Sequence, residues 1–289
     1  MAIDLSSLAY RSYYGLPDSL RSAEGKPVNA IKGYLDAILR LKKVYKPINV
    51  YHALDENWRP EWRVKLLPEY KSHRVFDDEE EVPDDLEYQL EVLPKILEDL
   101  GMQTIGITDN EADDVLATIA TQKEDVIIIS GDRDLLQLVN DKRNIAVHLL
   151  GKDGGKFYDE KEVLLKHLVK ASQYIDYSVL RGDASDGLPG VKGIGEKTAA
   201  KYISTFDNID NLIDAARNSH KELSIKLSNN ILDAIEYIVN ARTIVKLSTD
   251  LIVKLRVNTK FEEESVTKKY QNLKINNQIK EFASSRSSS

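Results

Sequence analysis

The stretch Val126-Ile127-Ile128-Ile129-Ser130-Gly131-Asp132-Arg133-Asp134 decides the fold. A continuous β-branched run with no polar alternation suits a strand of a parallel sheet buried on both faces. The run breaks at Gly131, and two aspartates, Asp132 and Asp134, follow at once. Working outward, Ala2-Ile3-Asp4, Ile48 to Leu54 (ending on Asp55), Met102 to Ile107 and Asn144 to Leu149 read as further strands. Between them, apolar residues fall at helical spacing: Ile31, Tyr34, Leu35, Ile38, Leu41 and Val44, then Leu86, Leu90, Leu93 and Leu97 closed by Gly101, then Val115, Leu116, Ile119 and Ala120. Leu135 to Val139 reads as a short helix. Strand alternating with helix over residues 1–150 predicts a doubly wound α/β sheet, mostly parallel and flanked by helices. From Asp159 onward the pattern is helical, with a weak strand signal near Leu251 to Val257. Ser284 to Ser289 reads as a disordered tail.

Composition narrows the classes. At 289 residues, 42% apolar and 30% charged, the chain can bury a full core. It has no apolar run of roughly 18 residues, which argues against a membrane span, and MAIDLSSLAYRS carries no secretory signature. The absence of cysteine excludes disulfides and thiolate zinc sites and fits a reducing, cytoplasmic compartment. The five histidines are scattered without ligand spacing. A net charge of −7 looks wrong for a nucleic-acid binder unless the acids are gathered at one place and the basic residues line another face.

The acids are gathered. Asp4, Asp55 and Asp132 each stand at the carboxyl end of an expected strand, and Glu111 opens the helix after another. In an open α/β sheet that edge binds ligands. With Asp113, Asp114, Asp134, Asp183 and Asp186, nine carboxylates can converge on one crevice. Singly, several read as ordinary helix caps that complement the macrodipole; together at one sheet edge they call for hard divalent cations, Mg²⁺ or Mn²⁺. Two such ions, about 3.5–4 Å apart, suit an in-line phosphodiester displacement.

Asp183 and Asp186 belong to a second informative stretch, Arg181 to Lys201. Its glycine-punctuated turn, Gly190-Val191-Lys192-Gly193-Ile194-Gly195, opens into the helix EKTAAKYI. Such a turn brings backbone close to another surface, and the helix start offers unpaired N–H groups to an anion. An acidic cluster beside a phosphate cradle fits nucleic acid. Residues 56–82 differ from their surroundings: Trp58 and Trp62, a basic run of Arg59, Arg63, Lys65, Lys71 and Arg74, then the acidic block Asp77 to Glu81. With no sustained apolar stripe, this part is expected to project as an arch. The tryptophans are expected to be partly buried beneath it.

These motifs together resemble the bacterial and phage 5′–3′ exonuclease and flap-endonuclease family, which includes the 5′-nuclease domain of DNA polymerase I. They run D-x-S-S-L-A-Y-R at 4–11, G-K-P-V-x-A-x-x-G-Y at 25–34, E-Y-K-S-H-R at 69–74, E-A-D-D-V-L-A at 111–117, G-D-R-D-L-L-Q-L at 131–138 and G-D-A-S-D-G-L-P-G-V-K-G-I-G-E-K-T-A at 182–199. Leu5 departs from the glycine usual after the first aspartate. The resemblance implies a PIN-like, resolvase-like catalytic domain over 1–180 with a helical arch at about 56–95. It further implies a helix–hairpin–helix DNA-binding domain over 181–260, with 261–289 as a C-terminal extension. It assigns Asp4, Asp55, Glu111, Asp113, Asp114 and Asp132 to a first metal site, partly through bound waters, and Asp134, Asp183 and Asp186 to a second that Asp132 also approaches. Lys71 and Arg74 would contact the scissile phosphate, Tyr70 would stack on a terminal base, and Arg11 and Arg63 would contact other phosphates. The turn Gly190 to Gly195, with Lys192 and Lys197, would grip duplex backbone without reading sequence, with a bound K⁺. The implied activity is structure-specific hydrolysis of flapped, nicked or 5′-ended DNA in replication or repair, extending to RNA–DNA hybrids, by a stand-alone, monomeric, nucleoid-associated enzyme. A catalytically idle junction-binding module and a PIN-like ribonuclease are the alternatives.

Overall fold

A six-stranded sheet carries the N-terminal part of the protein, seen here in a computed structural model that describes residues 1–76, 79–80, 82–257 and 259–287. Strand β1 (Ala2–Asp4) runs directly into α1 (Leu5–Gly15), because the Asp4 side chain accepts from the Ser7 N–H and caps the helix. Next come α2 (Asn29–Tyr45) and β2 (Tyr51–Ala53), then the arch segment with α3 (Glu61–Leu66), a 3₁₀ turn at Ser72–Arg74 and the small hairpin of β3 (Val75–Phe76) and β4 (Glu79–Glu80). Helix α4 (Asp84–Asp99), β5 (Gln103–Ile105), α5 (Ala112–Gln122), β6 (Val126–Ser130), β7 (Ile145–Leu149) and β8 (Lys156–Tyr158) follow. The sheet order is β5-β2-β1-β6-β7-β8, parallel except for β8 against β7. The mostly parallel sheet flanked by helices is as expected.

Apolar burial divides between its two faces. Ile3, Ile129, Ile31, Leu35, Ile38, Leu93 and Leu97 pack on one side; Val115, Leu116, Ile119, Ile128 and Val147 pack on the other. The second cluster continues into the helical part, formed by α6 (Glu160–His167), α7 (Tyr174–Arg181), α8 (Glu196–Phe206), α9 (Ile209–Arg217), α10 (Ile225–Asp233) and α11 (Ile235–Val245).

Several expectations fail in detail. The strand near residue 50 shrinks to Tyr51–Ala53, and Ile48 is left 92% exposed before it. Leu135 to Val139 is not an α-helix: Asp132 caps a 3₁₀ helix, Arg133–Leu138, by accepting from the Asp134 N–H at 2.7 Å. Strand β8 carried no clear signal, and Leu251 to Val257 forms no strand. The expected disordered tail is helical up to Ser287. After α12 (Glu263–Lys269), helix α13 (Asn276–Ser287) returns to α2, burying Ile275, Ile279 and Phe282, with Gln278 donating to Asp36 at 2.9 Å. Three acids of the expected block (Asp77, Asp78 and Glu81) and the last two serines lie outside the described residues.

Candidate active site

Strands β1 and β6 are neighbours, and the sheet grows from them in opposite directions, through β2 and β5 on one side and β7 and β8 on the other. Open α/β sheets bind ligands beyond the carboxyl ends of strands at such a switch point. Asp4 closes β1, and Asp132 follows β6 by two residues. Asp4 accepts from the Ser7 N–H at 2.9 Å and from the Ser130 hydroxyl at 2.7 Å. Asp55, past β2, accepts from the Ala112 N–H at 2.8 Å and so ties its loop to the start of α5. Asp4, Asp55, Asp113 and Asp132, with Glu111, Lys71 and Arg74, line one cleft of about 650 Å³. A smaller hollow of about 10 Å³ shares Glu111, Asp113 and Asp132 with the cleft; Asp134, Asp186, Arg63 and Tyr70 also line it, and Ile244, Val245 and Leu247 form its apolar wall.

Burial outweighs the nearby cations at four of these carboxyls. Asp4 is pushed up to about 7, by burial first and then by Asp55. Asp186 is also pushed up to about 7 by burial, against the opposing pull of Lys71. Asp113 and Asp134 are raised well above the usual carboxylate range, by burial first and by Asp132 next. The Oδ1 of Asp113 is buried without a hydrogen-bond partner, and Asp134 receives the Ser178 hydroxyl at 3.2 Å. Among the described residues no three acids stand as a ready-made cage. The donor set nevertheless suits hard divalent ions: buried, mutually repelling carboxylate oxygens, the Asp113 Oδ1 among them unpartnered, line one side of a hollow of about one water's size.

Not every expected ligand joins them. Asp114 is fully buried, and both its oxygens are taken by the Arg63 guanidinium at 3.0 and 2.9 Å, with the Ser248 N–H at 2.9 Å. It anchors structure and cannot face the cleft. Asp183 is likewise spoken for. Its Oδ2 accepts from Arg133 and Arg181, both at 2.9 Å, and its Oδ1 from Ser185. Burial alone would raise it, but the Ser185 hydrogen bonds and the two arginines hold it below its usual value. Glu111 lines the site with its oxygens engaged, by the Tyr70 hydroxyl at 2.8 Å, Arg63 at 3.0 Å and the Lys71 ammonium.

The arch base departs most from expectation. Arg63 is 1% exposed and Tyr70 3% exposed, so as placed neither can meet a phosphate or a base. Lys71 is buried against Glu111, whereas Arg74 is half-exposed at the cleft lip and donates to the Ser185 carbonyl at 2.6 Å. Arg11 is exposed but opens onto a separate groove of about 420 Å³ between α1 and α2, beside Arg40. Residues 69–71 are fixed from below. The Lys71 N–H donates to the Asp186 carbonyl at 3.0 Å, and a Cβ on Gly187 (φ +72°) would lie 2.3 Å from the Glu69 carbonyl oxygen. We therefore expect Gly187→Ala to lower stability by ~2 kcal/mol or more, from left-handed strain plus a backbone clash. An unchanged melting temperature would show that the arch base is not seated there.

In the glycine turn, Gly190 (φ +71°) and Gly193 (φ +85°) take left-handed backbone, and a Cβ at Gly190 would meet the Arg181 carbonyl oxygen at 2.6 Å. Val191 and Ile194 are buried anchors, so only their backbone is available to a ligand. Lys192, Gly193, Gly195 and Lys197 face outward. Tyr237 braces the turn by accepting from the Gly190 N–H at 3.0 Å, and Asn230 donates to the Lys192 carbonyl at 2.9 Å. Ser130, Ser178, Arg133 and Arg181 escaped the sequence reading, because nothing in a lone serine or arginine announces which acid it will touch.

Comparison with known proteins agrees with this architecture. Residues 1–167 match the family described as 5'-3' exonuclease, N-terminal resolvase-like domain, and residues 169–272 match 5'-3' exonuclease, C-terminal SAM fold. A 5'-3' exonuclease of Streptomyces coelicolor is 40% identical over 260 residues, covering 87% of this chain and 86% of the relative. Two solved structures share the fold. T5 5'-exonuclease with divalent metal ions (zinc) bound has a TM-score of 0.65 at 22% identity, covering 98% of each chain. Flap endonuclease-1 from Methanococcus jannaschii has a TM-score of 0.65 at 18% identity, covering 99% of this chain and 91% of that one.

Proposed function

Since the chain belongs to the 5'-3' exonuclease family, we propose that it is a structure-specific 5' nuclease that hydrolyses DNA at 5' ends, flaps and nicks using two Mg²⁺ or Mn²⁺ ions. The observation that carries the metal requirement is the set of raised, buried carboxyls lining the ~10 Å³ hollow, with the unpartnered Asp113 oxygen among them. Asp4, Asp55, Asp113 and Asp132 would hold one ion, and Asp132, Asp134 and Asp186 the other. When bound, such ions lower the pKa of an attacking water and neutralise the departing oxygen.

The chain's own groups supply binding and placement. Arg74, half-exposed at the lip, receives the scissile phosphate, and Lys71 faces it from the buried side. The outward face of Gly190 to Gly195, with Lys192 and Lys197, holds duplex backbone at a fixed remove from the acids, with a K⁺ on the hairpin as part of this reading. RNA–DNA hybrids fall within the same backbone-directed recognition, and a monomer suffices for it. The test is release of short 5' fragments from an end-labelled flapped duplex in Mg²⁺ or Mn²⁺. We expect EDTA to stop it and an Asp132→Ala/Asp186→Ala double variant to lack it. Full-rate cleavage in EDTA or by the double variant overturns the mechanism.

A further inference from the structure

Arg63 sits in the six-residue α3, yet its guanidinium is the meeting point of three parts of the fold. Its two terminal nitrogens fork onto Asp114 at 3.0 and 2.9 Å, and Nη1 also lies 3.0 Å from Glu111 Oε1. Its Nε donates to the Ile244 carbonyl in α11 at 3.3 Å. Asp114 in turn accepts from the Ser248 N–H, beyond the end of α11. The rings of Trp62 and Tyr70 lie 4.6 and 5.9 Å from the guanidinium carbon and help to exclude water.

The charges in this knot balance: Arg63 and Lys71 face Glu111 and Asp114. Asp113 lies between the two acids in sequence, at the first turn of α5. Holding its neighbours on both sides therefore sets where the unpartnered Asp113 oxygen stands. Holding Glu111 also sets where the Lys71 ammonium stands. A lysine could replace the charge of Arg63, but a single ammonium cannot span Asp114, Glu111 and the Ile244 carbonyl at once.

We propose that Arg63 is a positioning residue: it fixes Glu111 and the start of α5, and thereby Asp113 and Lys71, and it makes that arrangement depend on the helical part being seated at Ile244 and Ser248. The inference rests on the nuclease reading for its kinetic consequence, but not for its binding consequence. Arg63→Lys is the test, measured in the full chain by Mn²⁺ binding (electron paramagnetic resonance, no DNA), duplex binding without divalent ions, cleavage kinetics and thermal melting. We expect Mn²⁺ affinity to fall at least ~5-fold and kcat at least ~10-fold, while duplex Kd and KM stay within ~2-fold. A residue that only holds the fold together would lower the melting temperature and leave Mn²⁺ affinity and kcat of the folded protein unchanged, and that result overturns the proposal. Should Arg63→Lys fail to fold, Asp114→Asn, which keeps the shape and weakens one arm of the fork, is read by the same criteria. If wild-type protein cleaves no 5'-ended duplex, the nuclease reading falls, and the Mn²⁺ comparison still decides the role of Arg63.

Discussion

Asp134→Asn is expected to remove cleavage and, in the same protein, to raise the melting temperature of the metal-free form at pH 8. Asp134 is buried, and its carboxyl is raised well above its unfolded value by burial, Asp132, Asp186 and Asp183. A group whose folded pKa is raised contributes stability that is present below its unfolded pKa, near 3.8, and is lost as pH rises through the folded value. At pH 8 Asp134 therefore destabilises the metal-free folded protein relative to an uncharged side chain of the same shape. Asparagine has nearly the same shape, still accepts from the Ser178 hydroxyl at its Oδ1, and carries no charge to desolvate. We expect a gain of ~1–2 kcal/mol, or ~3–6 °C in melting temperature at this size. The gain should vanish only well below the unfolded value of 3.8, where Asp134 is protonated in both folded and unfolded chains. Comparing two proteins that differ only here cancels the titrating groups remote from the site, such as the Met1 amine and His52, which burial lowers to about 6 and about 3. With Mg²⁺ or Mn²⁺ present the ranking should reverse, because the ions stabilise the wild type and find one ligand fewer in the variant. Cleavage should fall by at least ~10²-fold. A metal-free melting temperature below that of the wild type at pH 8 would mean that the acids are not mutually destabilising, and the argument for divalent ions would lose its main support.

The readable part of this site and the hidden part differ in physical kind. Asp4, Asp55 and Asp132 were legible because strand ends are legible: a β-branched run, then an acid, places that acid at the carboxyl edge of a sheet whatever the loops do. Gly190 and Gly193 were legible because left-handed backbone selects glycine. The arginine pairs of Asp114 and Asp183 were hidden because a sequence does not say which acid an arginine will claim. Arg63 lies 51 positions from Asp114, and Arg133 lies 50 from Asp183. Arg63 and Tyr70 were misread for a related reason. The basic stretch 56–74 has no apolar periodicity, which suggests a solvated arch, whereas the fold buries Arg63 by pairing it and Tyr70 by giving its hydroxyl to Glu111. Charge neutralisation across the fold replaces the apolar stripe that the pattern lacks. Helix α13 was lost to composition: its serine-rich end looks disordered, but the burial of Ile275, Ile279 and Phe282 on α2 and its neighbours comes from residues just before it.

Lys71→Ala separates chemistry from binding, and its kinetic loss should be large. The ammonium is held by Glu111 and reaches the Trp58 carbonyl at 3.3 Å. Burial opposes its charge, but Glu111 first and Asp186 next raise its pKa above the ordinary lysine value, so it stays ionised across the working range. A cation already desolvated and aimed into the cleft costs little reorganisation when negative charge develops beside it, and such groups contribute ~10²–10³ in kcat. A duplex, by contrast, is gripped at the outward hairpin, through Lys192, Lys197 and backbone N–H groups, and a buried lysine adds little to that contact. Truncation leaves Glu111 with the Tyr70 hydroxyl and Arg63, so the acid keeps partners and the fold survives with a loss of ~1–2 kcal/mol. We therefore expect kcat on a flapped duplex to fall ~10²–10³-fold and duplex Kd to change by less than ~3-fold. Parallel losses in both would reduce Lys71 to a phosphate anchor. A full-rate variant would move the electrostatic work to Arg74, the remaining cation at the lip, whose contacts to Ser185 and Asp186 leave it half-exposed and free to follow the phosphate.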